Sequence, residues 1–182
     1  MYGLINESIR GLVTEQVGAD AWQRIVDRSG TGYAAFAAMS YYPDEVTYSL
    51  VDAAAAELDV PADELLASFG RYWSTTIAPD LYAGYLESAD RDVVSILAGL
   101  DEMHGRLQTL FPDLRPPSIE VETVDRRTVI VHYRSEREGL TPFMVGLLEG
   151  LGEVCEEPLT ITQTAVRGDG ADHDVFRVDR GG

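Results

Sequence analysis

Several features that define large classes of proteins are scarce or absent in this sequence. The 182 residues include one cysteine, so no intrachain disulfide can form and no cysteine cluster can bind zinc. No apolar run approaches the roughly 20 residues that span a bilayer. The N-terminal segment MYGLINESIRGLV lacks the positively charged region and the long apolar region of a signal peptide. We therefore expect a soluble, cytoplasmic protein without a membrane segment.

Positive charge is also scarce. The sequence has 14 basic residues against 31 acidic ones, and its formal net charge at pH 7 is −17. Such a chain repels the phosphates of nucleic acids and the surfaces of anionic membranes, so we expect neither as a partner. At this length we expect one domain with a core of appreciable size.

Hydrophobic periodicity predicts an α+β fold, with a helical N-terminal part and a C-terminal part that combines helices with a four-stranded antiparallel sheet. Helical spacing of apolar residues predicts helices over residues 1–17, 20–28, 44–58, 61–77, 96–117 and 140–154. Alternation predicts strands over residues 119–123, 128–134, 159–166 and 175–178. We expect residues 80–87 to form a connector and Asp90 to cap the helix that follows it. Cys155 ends an apolar helical pattern, which favours a structural thiol over a redox-active one.

One histidine, His104, lies on the apolar face of a predicted helix. The residues that share this face are Ile96, Leu97, Leu100, Met103, Leu107 and Phe111. A neutral imidazole in apolar surroundings suits an axial iron ligand. The alternative is a core histidine whose ring is satisfied by a hydrogen bond, and this helix taken alone favours that alternative.

A second group of polar residues follows a predicted strand. If the strand continues through residue 137, alternation places Tyr133, Ser135 and Arg137 on one face. Two hydroxyls and a guanidinium fork suit a pair of carboxylates, and haem carries two propionates on one edge. The alternative is the ordinary polar surface of a strand end. Together with His104, the three residues describe a haem pocket.

The sequence resembles the haem nitric oxide/oxygen-binding (H-NOX) family, which includes the haem domain of soluble guanylate cyclase. The matching segments, in chain order, are MYGLIN at the N-terminus, FGRYW at residues 69–73, LDEMHGRLQTLFPDLRPPS at residues 100–118, YRSEREGL at residues 133–140 and the following VGLLEG. The resemblance covers essentially the whole chain. Its specific signals are the histidine, the proline that follows it and then the Tyr-x-Ser-x-Arg motif.

The resemblance implies a cofactor and residues that bind it. The cofactor would be haem b, iron protoporphyrin IX, held between a distal helical part at residues 1–60 and a proximal α+β part at residues 61–182. His104 would be the proximal iron ligand. Tyr133, Ser135 and Arg137 would bind the propionates. Two further positions, Ile5 and Pro117, match places where the family packs side chains against a distorted porphyrin.

The resemblance also bears on which gas is bound. Dioxygen-binding members place a tyrosine hydroxyl on the helix after the Tyr-x-Ser-x-Arg motif, and its match in this chain is Phe143, next to Pro142. Neither side chain can donate a hydrogen bond, which implies binding of nitric oxide and carbon monoxide with exclusion of dioxygen. The residues expected to line the distal pocket are Ile5, Ile9, Trp73, Phe143 and Leu147. If dioxygen were bound, Tyr72 or Trp73 would be the candidate donor.

In the family, nitric oxide bound opposite the histidine weakens the iron–histidine bond. The helix that carries His104 would then move and alter a surface that a separate signalling protein reads, such as a histidine kinase or a diguanylate cyclase. We therefore expect a sensor and not an enzyme. The alternatives are a dioxygen sensor or carrier, and a haem enzyme such as a peroxidase, for which His132 and His173 are poorly placed as distal acid–base groups. The remaining alternative is a globular domain without a cofactor.

Overall fold

The computed structural model describes residues 1–181, which form two compact units, one over Met1–Phe69 and a second that begins at Gly70. The helices are α1 (Gly3–Val17), α2 (Ala19–Ser29), α3 (Asp44–Leu58), α4 (Ala62–Tyr72), a π-helical segment (Trp73–Ile77), α5 (Ala78–Ser88), α6 (Val93–Leu110) and α7 (Thr141–Val154). The strands are β1 (Ser118–Thr123), β2 (Thr128–Arg134), β3 (Leu159–Ala165) and β4 (Asp174–Arg180). No helix in the described part of the chain has the length and hydropathy to cross a bilayer.

The first unit is helical, and its core comes from the apolar faces of its helices. The buried hydrophobic side chains include Ile9, Leu12, Val13, Trp22, Ile25, Leu50 and Val51. One buried polar pair joins α1 to α3, because the Thr47 hydroxyl donates to Asn6 Oδ1 at 2.7 Å. The indole N–H of Trp22 donates to the carbonyl of Ala34 at 2.8 Å, so the one polar atom of this buried ring has a partner.

The second unit is built on an antiparallel sheet with strand order β1-β2-β4-β3. Alternation along β2 and β4 directs apolar side chains to one face, where they pack with α6 and α7. The core residues of this unit include Val93, Ile96, Leu97, Val129, Val131, Met144, Leu148, Leu151, Phe176 and Val178. The predicted α+β class and four-stranded antiparallel sheet are therefore confirmed.

Four local predictions were wrong in detail. Residues 80–87 are not a connector, because they lie in α5, which is kinked at Tyr82. The predicted helix over 61–77 is α-helical only to Tyr72 and then continues as a π-helical segment. Helix α6 spans only Val93–Leu110, because the chain at Phe111 leaves helical geometry before the prolines that follow. Its cap is Asp92, whose side chain accepts from the Ser95 N–H at 2.8 Å, whereas Asp90 has a φ of 52°.

Candidate cofactor-binding site

His104 lies in the second half of α6, and one of its ring nitrogens has no partner. Its Nδ1 atom is buried without a hydrogen bond within the described residues, which is uncommon for a buried polar atom. Burial lowers the pKa of His104 below its ordinary value. A hydrogen bond with the Pro117 backbone and the negative charge of Asp101 raise the pKa, but their effect is smaller. The ring is therefore neutral at pH 7 and has the lone pair that a metal ligand needs. The structure brings Pro117, the other predicted residue of this segment, next to His104.

One turn before His104, Asp101 fastens α6 to the start of β1. Its Oδ1 atom accepts from the N–H of Ile119 at 2.7 Å, and its Oδ2 atom accepts from the Ser118 hydroxyl at 2.9 Å. Both partners directly follow Pro117, so this contact sets the position of Pro117 against the histidine. Helical spacing places Asp101 on the polar side of the helix and gives no sign of this role, since its partners lie 17 and 18 residues away.

The opposite end of α6 is fixed by an ion pair. Asp92, the N-cap, accepts from Arg180 Nη2 at 2.6 Å on β4, and the same guanidinium also binds Glu157. Hydrogen bonds from Ser95 and Arg180 hold the pKa of Asp92 below its ordinary value, although partial burial by itself would raise it. The first turn of α6 is thereby tied to the sheet at a point remote from His104 in the chain.

The Tyr-x-Ser-x-Arg residues come together, but strand alternation is not the reason. Strand β2 ends at Arg134, and residues 135–139 form an irregular turn. Tyr133, Ser135 and Arg137 nevertheless line one cavity of about 270 Å³. The turn is held by the Arg137 N–H, which donates to the Ser135 hydroxyl at 3.1 Å, and by Arg137 Nη1, which donates to the carbonyl of Arg115 at 2.5 Å. The prediction that a continuous strand aligns them was wrong, because the turn curls the chain around the cavity.

A buried carboxylate at the same cavity was not anticipated from the sequence. Asp174, the first residue of β4, is 7% exposed. It accepts hydrogen bonds from the Thr141 hydroxyl, the Gln163 amide and the Arg167 N–H, each at 3.0 Å. These three donors satisfy a charge that would otherwise be costly to bury. Asp174 thus ties the first turn of α7 to the loop between β3 and β4.

Helix α7 carries Phe143 and Leu147 at helical spacing, and a glycine brings a second helix against their backbone. A side chain on Gly70 would place its Cβ 2.0 Å from the Phe143 carbonyl oxygen and 2.7 Å from the Leu147 nitrogen. Only glycine allows this approach. The Ser74 hydroxyl, in the π-helical segment that begins at Trp73, donates to the Leu147 carbonyl at 2.9 Å. The backbone of α7 is therefore held directly by the segment around residues 70–74.

The other predicted distal residues belong to α1 in the first unit. Ile9 is 2% exposed and Ile5, one turn earlier, is half-buried. The spacing of four residues places both on one face of that helix. For Ile5, Ile9, Trp73, Phe143 and Leu147 the distal role stays a prediction.

The two remaining histidines form a pair of their own on the sheet. His132 Nδ1 and His173 Nε2 lie 2.8 Å apart, and His173 Nδ1 lies 2.5 Å from Asp172 Oδ1. Each ring thus has a hydrogen-bonding partner. No cluster of three or more metal-ligating side chains of the His, Cys, Asp or Glu types occurs among residues 1–181.

The donor set of the second unit fits haem. A buried imidazole nitrogen without a hydrogen bond is suited to iron, and a cavity lined by Tyr133, Ser135, Arg137 and Arg167 offers hydroxyl-bearing and guanidinium-bearing residues suited to propionates. His104 would ligate the iron, and Tyr133, Ser135 and Arg137 would bind the carboxylates.

Comparison with known proteins gives the same family along most of the chain. A family model described as Haem-NO-binding matches residues 2–163. The soluble guanylate cyclase gcy-32 of Caenorhabditis elegans is 30% identical over 152 residues, which cover 82% of this chain and 22% of that protein. Soluble guanylate cyclase 89Da of Drosophila melanogaster is 25% identical over 146 residues, which cover 80% of this chain and 22% of that protein. The chain thus spans about a fifth of the length of these curated relatives.

Solved structures agree on the fold. An H-NOX protein from S. oneidensis in the Fe(II)NO ligation state superimposes with a TM-score of 0.89 at 21% identity, and the match covers 100% of both chains. The unliganded Fe(II) H-NOX protein from K. algicida gives a TM-score of 0.87 at 22% identity, covering 100% of this chain and 97% of that one. The family match over residues 2–163, on this fold, shows that the chain belongs to the haem-NO-binding (H-NOX) family of haem-based gas-sensing domains.

Proposed function

We propose that this domain is a nitric oxide sensor that also binds carbon monoxide, excludes dioxygen and signals to a separate protein through helix α6. The observation that carries the proposal is the buried, unpartnered Nδ1 atom of His104 on that helix. The cofactor proposed is haem b. A single cysteine, followed by Glu156, cannot supply the paired cysteines and histidine of covalent c-type attachment, which supports non-covalent binding.

When bound, ferrous haem supplies the coordination position that takes up the gas. The protein supplies a neutral imidazole at His104 and keeps it neutral by burial. Arg137 and the hydroxyls of Tyr133 and Ser135 orient the porphyrin through its carboxylates.

The proposed exclusion of dioxygen is supported by the fact that two hydroxyls near the first turns of α7 already donate hydrogen bonds within the protein. A stable dioxygen complex needs a hydrogen-bond donor aimed at the bound ligand. The Thr141 hydroxyl is committed to Asp174 at 3.0 Å, and the Ser74 hydroxyl is committed to the Leu147 carbonyl at 2.9 Å. Phe143 and Leu147, the residues proposed to face the ligand, have no donor to offer.

Signalling would use the unequal attachment of α6. Its first turn is fixed through Asp92 and Arg180, whereas the segment around His104 is held by the two contacts of Asp101 with the start of β1. Weakening of the bond between iron and His104 would remove one restraint on that segment and shift the balance between two positions of the helix. A histidine kinase or a diguanylate cyclase as the receiving protein stays a prediction.

The test is a set of absorption spectra of the reconstituted, anaerobic ferrous protein, before and after nitric oxide and after air. We expect nitric oxide to change the spectrum and air to leave no stable dioxygen complex. In His104→Gly the iron–histidine signature should be lost and imidazole added in solution should restore it. His173→Gly is the matched control and should behave as the wild type. Failure of the wild type to bind haem would refute the function altogether.

A stable dioxygen complex in the wild type would instead refute the selectivity alone. In that case Tyr72→Phe and Trp73→Phe would identify the donor, because removal of the true donor should shorten the lifetime of the complex. The reverse experiment is Phe143→Tyr, which introduces a hydroxyl on α7 and should create or prolong a dioxygen complex.

A further inference from the structure

A second arginine, Arg167, lines the cavity that holds the Tyr-x-Ser-x-Arg residues. It lies in a short 3₁₀ turn, Arg167–Asp169, that follows strand β3, 32 residues after Ser135 of the motif. Its Nη1 atom donates to the carbonyl oxygen of Ser135 at 2.7 Å. The cavity is therefore lined by two arginines, Arg137 and Arg167, together with two acidic residues, Glu138 and Asp174.

The backbone that carries Arg167 is ordered by contacts of its own. Its N–H donates at 3.0 Å to the buried carboxylate of Asp174. The turn is closed by the Asp169 N–H, which donates to the Val166 carbonyl at 3.0 Å, and it ends at Gly170 with a φ of 98°. A guanidinium mounted on such a turn loses less conformational entropy when it binds a ligand than one on a mobile loop.

The charge of Arg167 is the reason to expect an anion. All 14 basic residues of this chain are arginines, and they face 31 acidic residues. Some arginines of the second unit pair with carboxylates, as Arg71 does with Glu153 at 2.6 Å and Arg134 with Glu120 at 3.0 Å, and others, such as Arg126 and Arg127, show no ion pair among the described residues. Arg167 has no such ion pair within residues 1–181, and its guanidinium meets only a neutral carbonyl. One of its five N–H donors is used there, and the others remain for a ligand.

We infer that Arg167 binds a propionate of the haem, so that the site has two guanidinium groups for two carboxylates. This inference rests on the proposed function, since it requires haem in the site. Its chemistry is that of a charge-assisted, forked hydrogen bond, which a lysine at the same position cannot reproduce fully. The contact with the Ser135 carbonyl positions the fork beside the motif.

The test compares two porphyrins in two proteins. Haem and its propionate dimethyl ester are loaded into wild type and Arg167→Gln, and the rate of loss to an excess of haem-scavenging apoglobin is measured. We expect Arg167→Gln to lose haem about tenfold faster, the scale of one charge-assisted hydrogen bond at an accessible site. With the dimethyl ester the two proteins should lose the porphyrin at equal rates. Arg127→Gln, an exposed arginine in the turn between β1 and β2, is the matched control and should match the wild type.

A further variant separates direct binding from an effect on Ser135. In a Ser135→Ala background, Arg167→Gln should still accelerate haem loss if Arg167 itself contacts the propionate. No further acceleration there would mean that Arg167 acts only by positioning Ser135, and would overturn the inference. Equal acceleration for haem and its ester, or none for haem, would overturn it as well. All three results leave haem binding by the wild type intact, so they refute Arg167 without refuting the sensor.

Discussion

Helices α6 and α7 belong to the same unit and pack into the same core, yet they are held in different ways. In α6 the buried residues, Val93, Ile96 and Leu97, all lie in the first five positions, and the turns around His104 are half-buried or exposed. In α7 burial continues from Met144 to Gly152, with only Glu149 and Glu153 exposed. One helix is thus packed at one end, and the other along most of its length.

The type of contact differs as well. At Gly70 and Gly150 the backbone lies so close to a neighbouring segment that a Cβ would clash, whereas the segment around His104 is held by hydrogen bonds that the Asp101 carboxylate accepts. Close-packed backbone leaves little room for displacement, and a few polar contacts can be exchanged for water. Helix α7 is therefore more tightly packed than the second half of α6.

The largest difference should come from truncating one leucine in each helix. Leu148 in α7 is 0% exposed, so Leu148→Ala should lower the free energy of unfolding by about 3 kcal/mol through lost burial and a residual cavity. Leu110, at the end of α6, is 71% exposed, and Leu110→Ala should change stability by less than about 0.5 kcal/mol. Urea unfolding of both variants measures the difference. Equal losses would contradict the unequal packing of the two helices.

Adding one methyl group should change stability in opposite directions in the two helices. A Cβ on Gly150 of α7 would lie 2.7 Å from the Cβ of Ser74 and 2.9 Å from the Arg71 carbonyl, so Gly150→Ala should cost about 2 kcal/mol. A Cβ on Gly105 of α6 meets nothing within 4 Å, and Gly105→Ala should stabilise by about 0.5–1 kcal/mol because alanine is the better helix former. Melting temperatures report the sign. A destabilising Gly105→Ala would mean that this face of α6 is not open.

Removal of the carboxylate of Asp101 should loosen the second half of α6 without unfolding the protein. Asp101→Ala leaves the Ile119 N–H without its acceptor, and we expect the free energy of unfolding to fall by about 1 kcal/mol. The loss is smaller than for a buried charged contact because Asp101 is exposed. Hydrogen exchange should quicken at Ile119 and around His104. Glu102→Ala is the matched control, since its exposed pair with Arg106 contributes about 0.5 kcal/mol or less. Unchanged hydrogen exchange in Asp101→Ala would refute the role of Asp101 in holding α6 against the start of β1.

The smallest effect should be a pH dependence at the fixed end of α6. The pKa of Asp92 is lowered in the folded protein, so its contribution to stability is present above the pKa of the unfolded state, near 3.9, and is lost as pH falls through the lower folded value. Asp92→Asn should remove this part of the acid sensitivity. Arg180→Gln should raise the pKa of Asp92 and shift the loss to higher pH. Carboxyl NMR titration of Asp92 in wild type and Arg180→Gln checks the direction.

The proposed site residues could be singled out from the sequence because their signals are local. His104 stands out on an apolar helical face, and Tyr133, Ser135 and Arg137 lie within five residues of one another. The strands of the sheet could be predicted because apolar and polar residues alternate along each of them. The predicted N-cap of α6 was Asp90, whereas the structure shows Asp92. Aspartate suits a cap at either position, and only the backbone conformation distinguishes the two.

The sequence by itself determined the α+β class, the strands of the sheet and the identity of the histidine helix, since each is written in the spacing of neighbouring residues. Only the tertiary structure decided that Asp101 connects that helix to β1, that a turn and not a strand brings the motif residues together, and that Arg167 lines the same cavity. It also decided which glycines mark close contacts, Gly70 and Gly150, and which face open space, as Gly105 does. These outcomes depend on partners far along the chain, and a local pattern carries no information about which distant group a side chain will meet.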